Sequence, residues 1–313
     1  MNNRWTQTAV VACVSLLGLV AGMTLFLYME HRADSPEEAP VFSVPETAND
    51  LGDPAHNYGV QVDKPTPPML AIIVDDLGYG RSGTTEILDL PYPLTLSVLP
   101  DLTMTEIDYQ RAVQSGHQVI LHLPMEPMND SISPGVRAVT VGMTTEEIRE
   151  VVEGFLEQVP GVRAANNHMG SKATADRSVM EAVIGVLKEH DVYWIDSSTT
   201  PESTGPEVCR SLGMPVVVNN MFLDGELTRE YIENGLLAAA QLARNKGYAV
   251  AIGHVSLVFA ETLAAVLPTI AGSGVALVTV DQLVDFLEYR SVSDRAVLAV
   301  GSGATGMGDQ YGR

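Results

Sequence analysis

Two cysteines, Cys13 and Cys209, are too few for a disulfide framework or a cysteine metal cluster, so neither holds this 313-residue chain together. Basic residues are also scarce. Lys and Arg number 18 against 39 Asp and Glu, for a net charge of −21 and no basic stripe, which excludes a nucleic-acid backbone as partner. No Gly-x-Ser-x-Gly string occurs in the domain, so a serine-hydrolase elbow is absent. Only one apolar stretch is long. Residues 8–28 carry no charge, enough for a helix to cross roughly 30 Å of hydrocarbon. Arg4 precedes that stretch, and Glu30, Asp34, Glu37 and Glu38 outweigh Arg32 after it. The balance favours an uncleaved signal anchor over residues 1–32, held in the inner membrane with the remainder on the periplasmic side. A cleaved signal peptide, giving a secreted protein, is the competing reading.

What is present is a set of short apolar runs that stop abruptly on polar residues: LAIIVDD at 70–76, QVILH at 118–122, VRAANNH at 162–168, VYWID at 192–196 and AVAIGH at 249–254. Such runs read as strands buried on both faces of a parallel sheet. Parallel strands end on one side, so Asp75, Asp76, His122, His168, Asp196 and His254 are expected at a single rim, where such folds place their chemistry.

Residues 33–68 are rich in Pro, Glu, Asp and Asn without apolar periodicity and read as an acidic linker. From 69 to 290 apolar runs alternate with amphipathic segments. About eight strand candidates emerge, with strands expected at 70–75, 94–98, 118–122, 162–166, 192–195, 215–218, 249–253 and 275–278. The fold class is therefore α/β, with a closed or partly closed barrel. Thr144-x-x-Glu147 marks a capping box for a helix from 145. The tail, 291–313, is rich in Gly, Ser and Ala. Its Gly301-x-Gly303-x-x-Gly306 has too little chain after it to build a dinucleotide site.

Each polar cluster admits a plain and a chemical reading. Asp75-Asp76 suits a cation and a base on carboxylates pointing in roughly opposite directions, or else a solvated turn. His122 and Glu126 are suitable zinc ligands, though Pro124 between them argues for a loop. Asn166 and Asn167 suit an oxyanion or sugar hydroxyls, and His168 can complete a metal site. Asp196 orients a histidine, holds a hydroxyl or caps a helix. His254, behind Gly253, is accessible enough to act as a general acid.

The ordered strings Ile-Val-Asp-Asp-Leu-Gly (73–78), Gly-His-Gln-Val-Ile-Leu-His-Leu-Pro-Met-Glu-Pro (116–127), Asn-Asn-His-Met-Gly-Ser (166–171), Asp-Ser-x-Thr-Thr (196–200) and Ala-Ile-Gly-His (251–254) resemble the divergent polysaccharide deacetylase family. That family is a branch of the NodB-type carbohydrate deacetylases. The resemblance covers residues 69–288 and implies a distorted seven- or eight-stranded (β/α) barrel. It implies Asp75 as base, Asp76 as metal ligand and His254 as general acid, with a divalent metal, zinc, as cofactor. The main group's His-x-x-x-His is here His122-x-x-x-Glu126, and His168 stands where an Arg-Pro-type motif is usual. Either His122 or Glu126 then joins Asp76 and His168 around the metal, with His122 preferred. Glu126, Asn166, Asn167 and Asp196 fall to substrate-binding or supporting roles. The implied activity is N- or O-deacetylation of an envelope polysaccharide or peptidoglycan-type glycan. The alternatives are a membrane-tethered glycan-binding module without turnover and a structural scaffold.

Overall fold

The computed structural model of the chain describes residues 67–289. The expected anchor, nearly all of the linker, and the tail lie outside the described residues. No helix among those described is long and apolar enough to cross a membrane.

Strands and helices alternate along the chain. β1 (Met69–Leu77), α1 (Thr84–Leu88), β2 (Thr95–Val98), α2 (Thr105–Ser115), β3 (Gln118–Met125) and α3 (Thr145–Leu156) come first. Then follow β4 (Ala164–Met169), α4 (Arg177–Glu189), β5 (Tyr193–Asp196), α5 (Gly205–Ser211), β6 (Val217–Val218) and β7 (Met221–Phe222). α6 (Arg229–Lys246), β8 (Tyr248–His254), α7 (Leu257–Gly272), β9 (Ala276–Val278) and a helix over 280–289 complete the set. The capping box opens α3 as expected: Thr144 Oγ1 accepts from Glu147 N at 3.2 Å, and Glu147 Oε2 accepts from Thr144 N at 2.8 Å.

Every strand pairing is parallel, in the order β6-β5-β4-β3-β2-β1-β8-β7, and β9 pairs with the start of β1. The sheet curls into a half-barrel. One short stretch of chain, 217–222, pairs with β5 at one edge and with β8 at the other. β7 was not expected from sequence, because two residues after Asn219-Asn220 are too few to show a period.

Side-chain alternation sorts the strands into two layers. Outward residues such as Leu70, Ile72, Val74, Leu121 and Leu123 pack with the helices. Inward residues Ala71, Ile73, Ile120, Ala164, Val250 and Ile252 form a second core, closed at its lower end by Val280, Leu283 and Val284. Continuing each inward column by two residues gives Asp75 on β1, His122 on β3, Asn166 and then His168 on β4, and His254 on β8. The inner wall thus turns from apolar to polar at the carboxyl ends of the strands.

Two strands run further than their apolar runs suggested. β3 continues through Pro124 to Met125 and β4 through His168 to Met169, paired in register from Leu121↔Ala165 to Met125↔Met169. Pro124 is not a loop residue. It is tolerated because the β2 ladder ends at Leu121, so past that point its missing N–H faces no strand partner, while its carbonyl accepts from Val139 N at 2.9 Å.

The two aspartates at the end of β1 do not point apart. β1 pairs Val74 with Leu96 but Leu77 with Val98, so β1 holds one residue more than β2 in that interval, a β-bulge. Asp76 takes a left-handed φ of 72° there. Simple alternation would have sent the two carboxylates apart, whereas the bulge turns both inward.

Gly253 fixes how closely β8 meets α7. A Cβ at that position would lie 2.2 Å from Cζ of Phe259, itself fully buried. Gly253→Ala is expected to lower stability by about 1–3 kcal/mol through overpacking, measured by denaturant unfolding. An unchanged midpoint would show that the contact is not tight.

Candidate functional site

Three donor atoms meet at the carboxyl ends of β1, β3 and β4. His168 Nδ1 lies 3.2 Å from His122 Nε2 and 3.3 Å from Asp76 Oδ1, and His122 Nε2 lies 3.5 Å from Asp76 Oδ1. All three residues are buried. Donors bound tetrahedrally to one zinc at about 2.0–2.2 Å stand roughly 3.3–3.6 Å apart, so the triangle is the size that one such ion needs. Asp76 Oδ1 is buried without a hydrogen-bond partner, as is His168 Nε2. An orphaned buried carboxylate oxygen costs free energy unless a cation satisfies it. Two imidazoles and a carboxylate are also the donor set that first-row divalent ions prefer. On these grounds the residues fit a metal.

The charges of Asp76 and His168 agree with that assignment, whereas His122 in the metal-free protein is drawn towards a proton that a cation would replace. Burial opposes ionisation of Asp76, but His122 and His168 outweigh it and hold the carboxyl far below its ordinary range. Burial lowers the pKa of His168, leaving the ring neutral with a lone pair to offer. For His122 burial is outweighed by Asp75 and Asp76, which raise it. The other oxygen of Asp76, Oδ2, meets Arg81 at 3.1 Å, and the Arg81 guanidinium lies over the ring of Tyr79.

Asp75 stands beside the triangle, with Oδ2 3.7 Å from His122 Nε2. Its Oδ1 accepts from Asn166 Nδ2 at 2.9 Å. Across the β1–β8 ladder its register partner is His254. That histidine is held by a residue not singled out from sequence, Asp224, just after β7. Asp224 Oδ2 accepts from His254 N at 2.7 Å, and both carboxylate oxygens lie 3.2 Å from Nδ1. Phe222 stacks on the imidazole with ring centroids 6.2 Å apart. Burial alone would lower the pKa of His254, but Asp224, Asp75 and Asp76 push it up to about 9. Asp224 escaped notice because its strand is two residues long. The one available signal was the rule the longer runs had shown, that an apolar stretch ends on an acid.

Three candidates are committed elsewhere. Glu126 accepts from Lys172 Nζ at 2.6 Å and from Val141 N at 2.7 Å, and its carbonyl takes the N–H groups of Lys172 and Ala173. It clamps two loops and is not a member of the triangle, so of the pair only His122 stands where a metal could be held. Asn167 points outward by alternation; its amide binds Ser197 N, the carbonyl of Met169 and Thr199 Oγ1. Asp196 also points outward and accepts from Ser203 Oγ at 2.6 Å and Ser198 N at 2.9 Å. Burial raises its pKa. It orders the turn after β5 and orients no histidine.

The family model of the divergent polysaccharide deacetylases matches residues 72–284. Among curated proteins, the uncharacterized protein YibQ of Escherichia coli is 31% identical over 185 residues, covering 59% of this chain and 58% of that one. An uncharacterized protein of Haemophilus influenzae is 29% identical over 186 residues, covering 59% of this chain and 66% of its own. The matches span less than two thirds of either relative. Among solved structures, an uncharacterized protein from Agrobacterium tumefaciens C58 superposes with a TM-score of 0.65 at 22% identity, over 73% of this chain and 94% of that one, and shares the fold.

The Asp224 contact has a measurable signature. His254 has an ordinary pKa of 6.5 and a folded value of about 9, so its stabilising effect is full below 6.5 and is lost as pH rises through 9. Asp224→Asn should bring the His254 titration, followed by NMR, down from about 9 towards or below 6.5. A titration unmoved by that substitution would mean that Asp224 does not hold the ring.

Proposed function

We propose that this chain, which belongs to the divergent polysaccharide deacetylase family, hydrolyses an N- or O-acetyl group on a cell-envelope glycan with the help of a divalent cation, zinc. The observation that carries this reading is the buried triangle of Asp76 Oδ1, His122 Nε2 and His168 Nδ1, with its orphaned carboxylate oxygen. Those atoms would hold the metal. Zinc in such a site supplies a Lewis acid and lowers the pKa of water to near neutrality.

The chain's own residues divide the proton work. Asp75 keeps Oδ1 engaged by Asn166, while Oδ2 accepts no hydrogen bond and lies 3.7 Å from His122 Nε2, so Oδ2 is the atom that accepts a proton from the attacking water. His254, protonated at neutral pH and oriented through Nδ1 by Asp224, donates its Nε2 proton to the departing amine or alcohol. Base and acid sit on adjacent strands, about 4.8 Å apart between backbones. Arg81 occupies the second oxygen of Asp76, which leaves Oδ1 to the metal.

A second reading rests on one observation: the second imidazole of the family's usual motif is Glu126 here, spent on Lys172. On that reading the domain binds glycan without turning it over. The hydrolase reading is preferred because His168 restores the second imidazole from another strand. We also place the domain in the periplasm, tethered to the inner membrane through residues 8–28, since that charge-free stretch and the acids after it favour this orientation.

Purified protein is expected to carry one zinc per chain by metal analysis, and a chelator should stop acetate release until zinc is returned. Asp75→Asn should cut kcat by about 10²–10⁴-fold while the protein stays folded; undiminished turnover in that variant rejects the mechanism. Because the acid must be protonated, activity should decline as pH rises through about 9, with Asp224→Asn moving that limb to lower pH. Glycan binding without acetate release from any acetylated sugar would favour the second reading.

A further inference from the structure

We infer that Asn166 is a positioning residue that acts through both halves of the centre at once, an inference that rests on the hydrolase reading above. Its side chain is fully buried at the middle of β4, within hydrogen-bond reach of β1, β2 and β3, and each of its two amide atoms has a different task. Oδ1 accepts from Ser97 Oγ at 2.6 Å and lies 2.8 Å from His122 Nδ1. Nδ2 donates to Asp75 Oδ1 at 2.9 Å and to Ser197 Oγ at 3.2 Å. The reverse orientation of the amide would set its oxygen against the Asp75 carboxylate, so the charge of Asp75 fixes which way it points.

With Oδ1 turned to His122, the proton of that ring is drawn to Nδ1, and the lone pair of Nε2 is left facing Asp76 and His168. Asn166 therefore sets the tautomer in which His122 can bind a metal, as the outer partners of ligating histidines do. The same amide plane holds one oxygen of Asp75, so the base cannot rotate into the triangle and take the place of a ligand. Ser97 and Ser197, on opposite sides, complete the hydrogen bonding of the amide. One side chain thereby keeps ligand and base distinct although they are separated by less than 4 Å.

Two variants of the full-length protein separate the two tasks. Asn166→Ala loses both, and its zinc affinity, titrated with the metal ion alone, should fall about 10–100-fold. Asn166→Asp keeps an acceptor for His122 but sets a second carboxyl against Asp75 in place of the amide donor, so the two share a proton and Asp75 is lost as a base. Its zinc affinity should return to within about threefold of the parent, while kcat stays at least about tenfold down with KM unchanged. In the zinc-loaded parent, long-range ¹H–¹⁵N correlation should show His122 protonated on Nδ1 and metal-bound through Nε2. This measurement holds even if the alanine variant does not fold. Parental zinc affinity in Asn166→Ala, no recovery of affinity in Asn166→Asp, full kcat in Asn166→Asp, or His122 protonated on Nε2 would each overturn the inference and leave the hydrolase reading intact. A parent that binds no zinc would instead overturn the hydrolase reading.

Discussion

The single extra residue in β1 is the constraint from which the centre follows. In a regular strand Asp75 would join the inner wall and Asp76 the helix layer, where a carboxylate among Ile87, Leu96 and their neighbours would have no partner. The bulge, with Asp76 in the left-handed region, brings both acids to the same face. Such a conformation costs a non-glycine residue of order 1–3 kcal/mol and persists only where the surroundings demand it. Here Arg81 holds one oxygen and Gly78 N is anchored on Asp108 Oδ2 at 2.9 Å just beyond, while the two imidazoles stand 3.3 and 3.5 Å from the other oxygen without a hydrogen bond to it.

The curled sheet then supplies the concentration of charge that a flat sheet could not. β3 and β4 lie beside each other and reach past the end of β2, and the curl turns His122 and His168 towards Asp76 of β1. Two carboxylates and two imidazoles share one buried niche, an arrangement that is expensive for an apo protein and favourable for one holding a divalent cation. The Asp224–His254 pair stands apart from this group. It uses its own carboxylate to hold the ring, while the charges of Asp75 and Asp76 add to that of Asp224 in keeping the proton on His254.

Much of this was legible in the residues. Asp75, Asp76, His122, His168 and His254 were found because apolar runs stop on them, and parallel strands bring such stops together. The register that decides which face each occupies was not legible in the same way. Asn167 and Asp196 end their runs as conspicuously as Asn166 and His168 do, yet one step of alternation turns them to the outer layer. Neither the bulge nor the two-residue β7 leaves a periodic trace, so the convergence of the aspartates and the part played by Asp224 required coordinates. The Glu126 alternative was undecidable from spacing, because its outcome depends on Lys172, 46 positions away in the chain.

The polypeptide enters the fold at the foot of β1, where Met69 N meets Gly247 O and Pro68 O receives Ala276 N. Six strand residues, about 20 Å, separate that doorway from Asp75. Residue 67 therefore lies at the end of the barrel opposite the triangle of Asp76, His122 and His168. The doorway and the polar rim are thus held at opposite ends of one strand, so the residues at the point of entry do not compete for the space around the imidazoles.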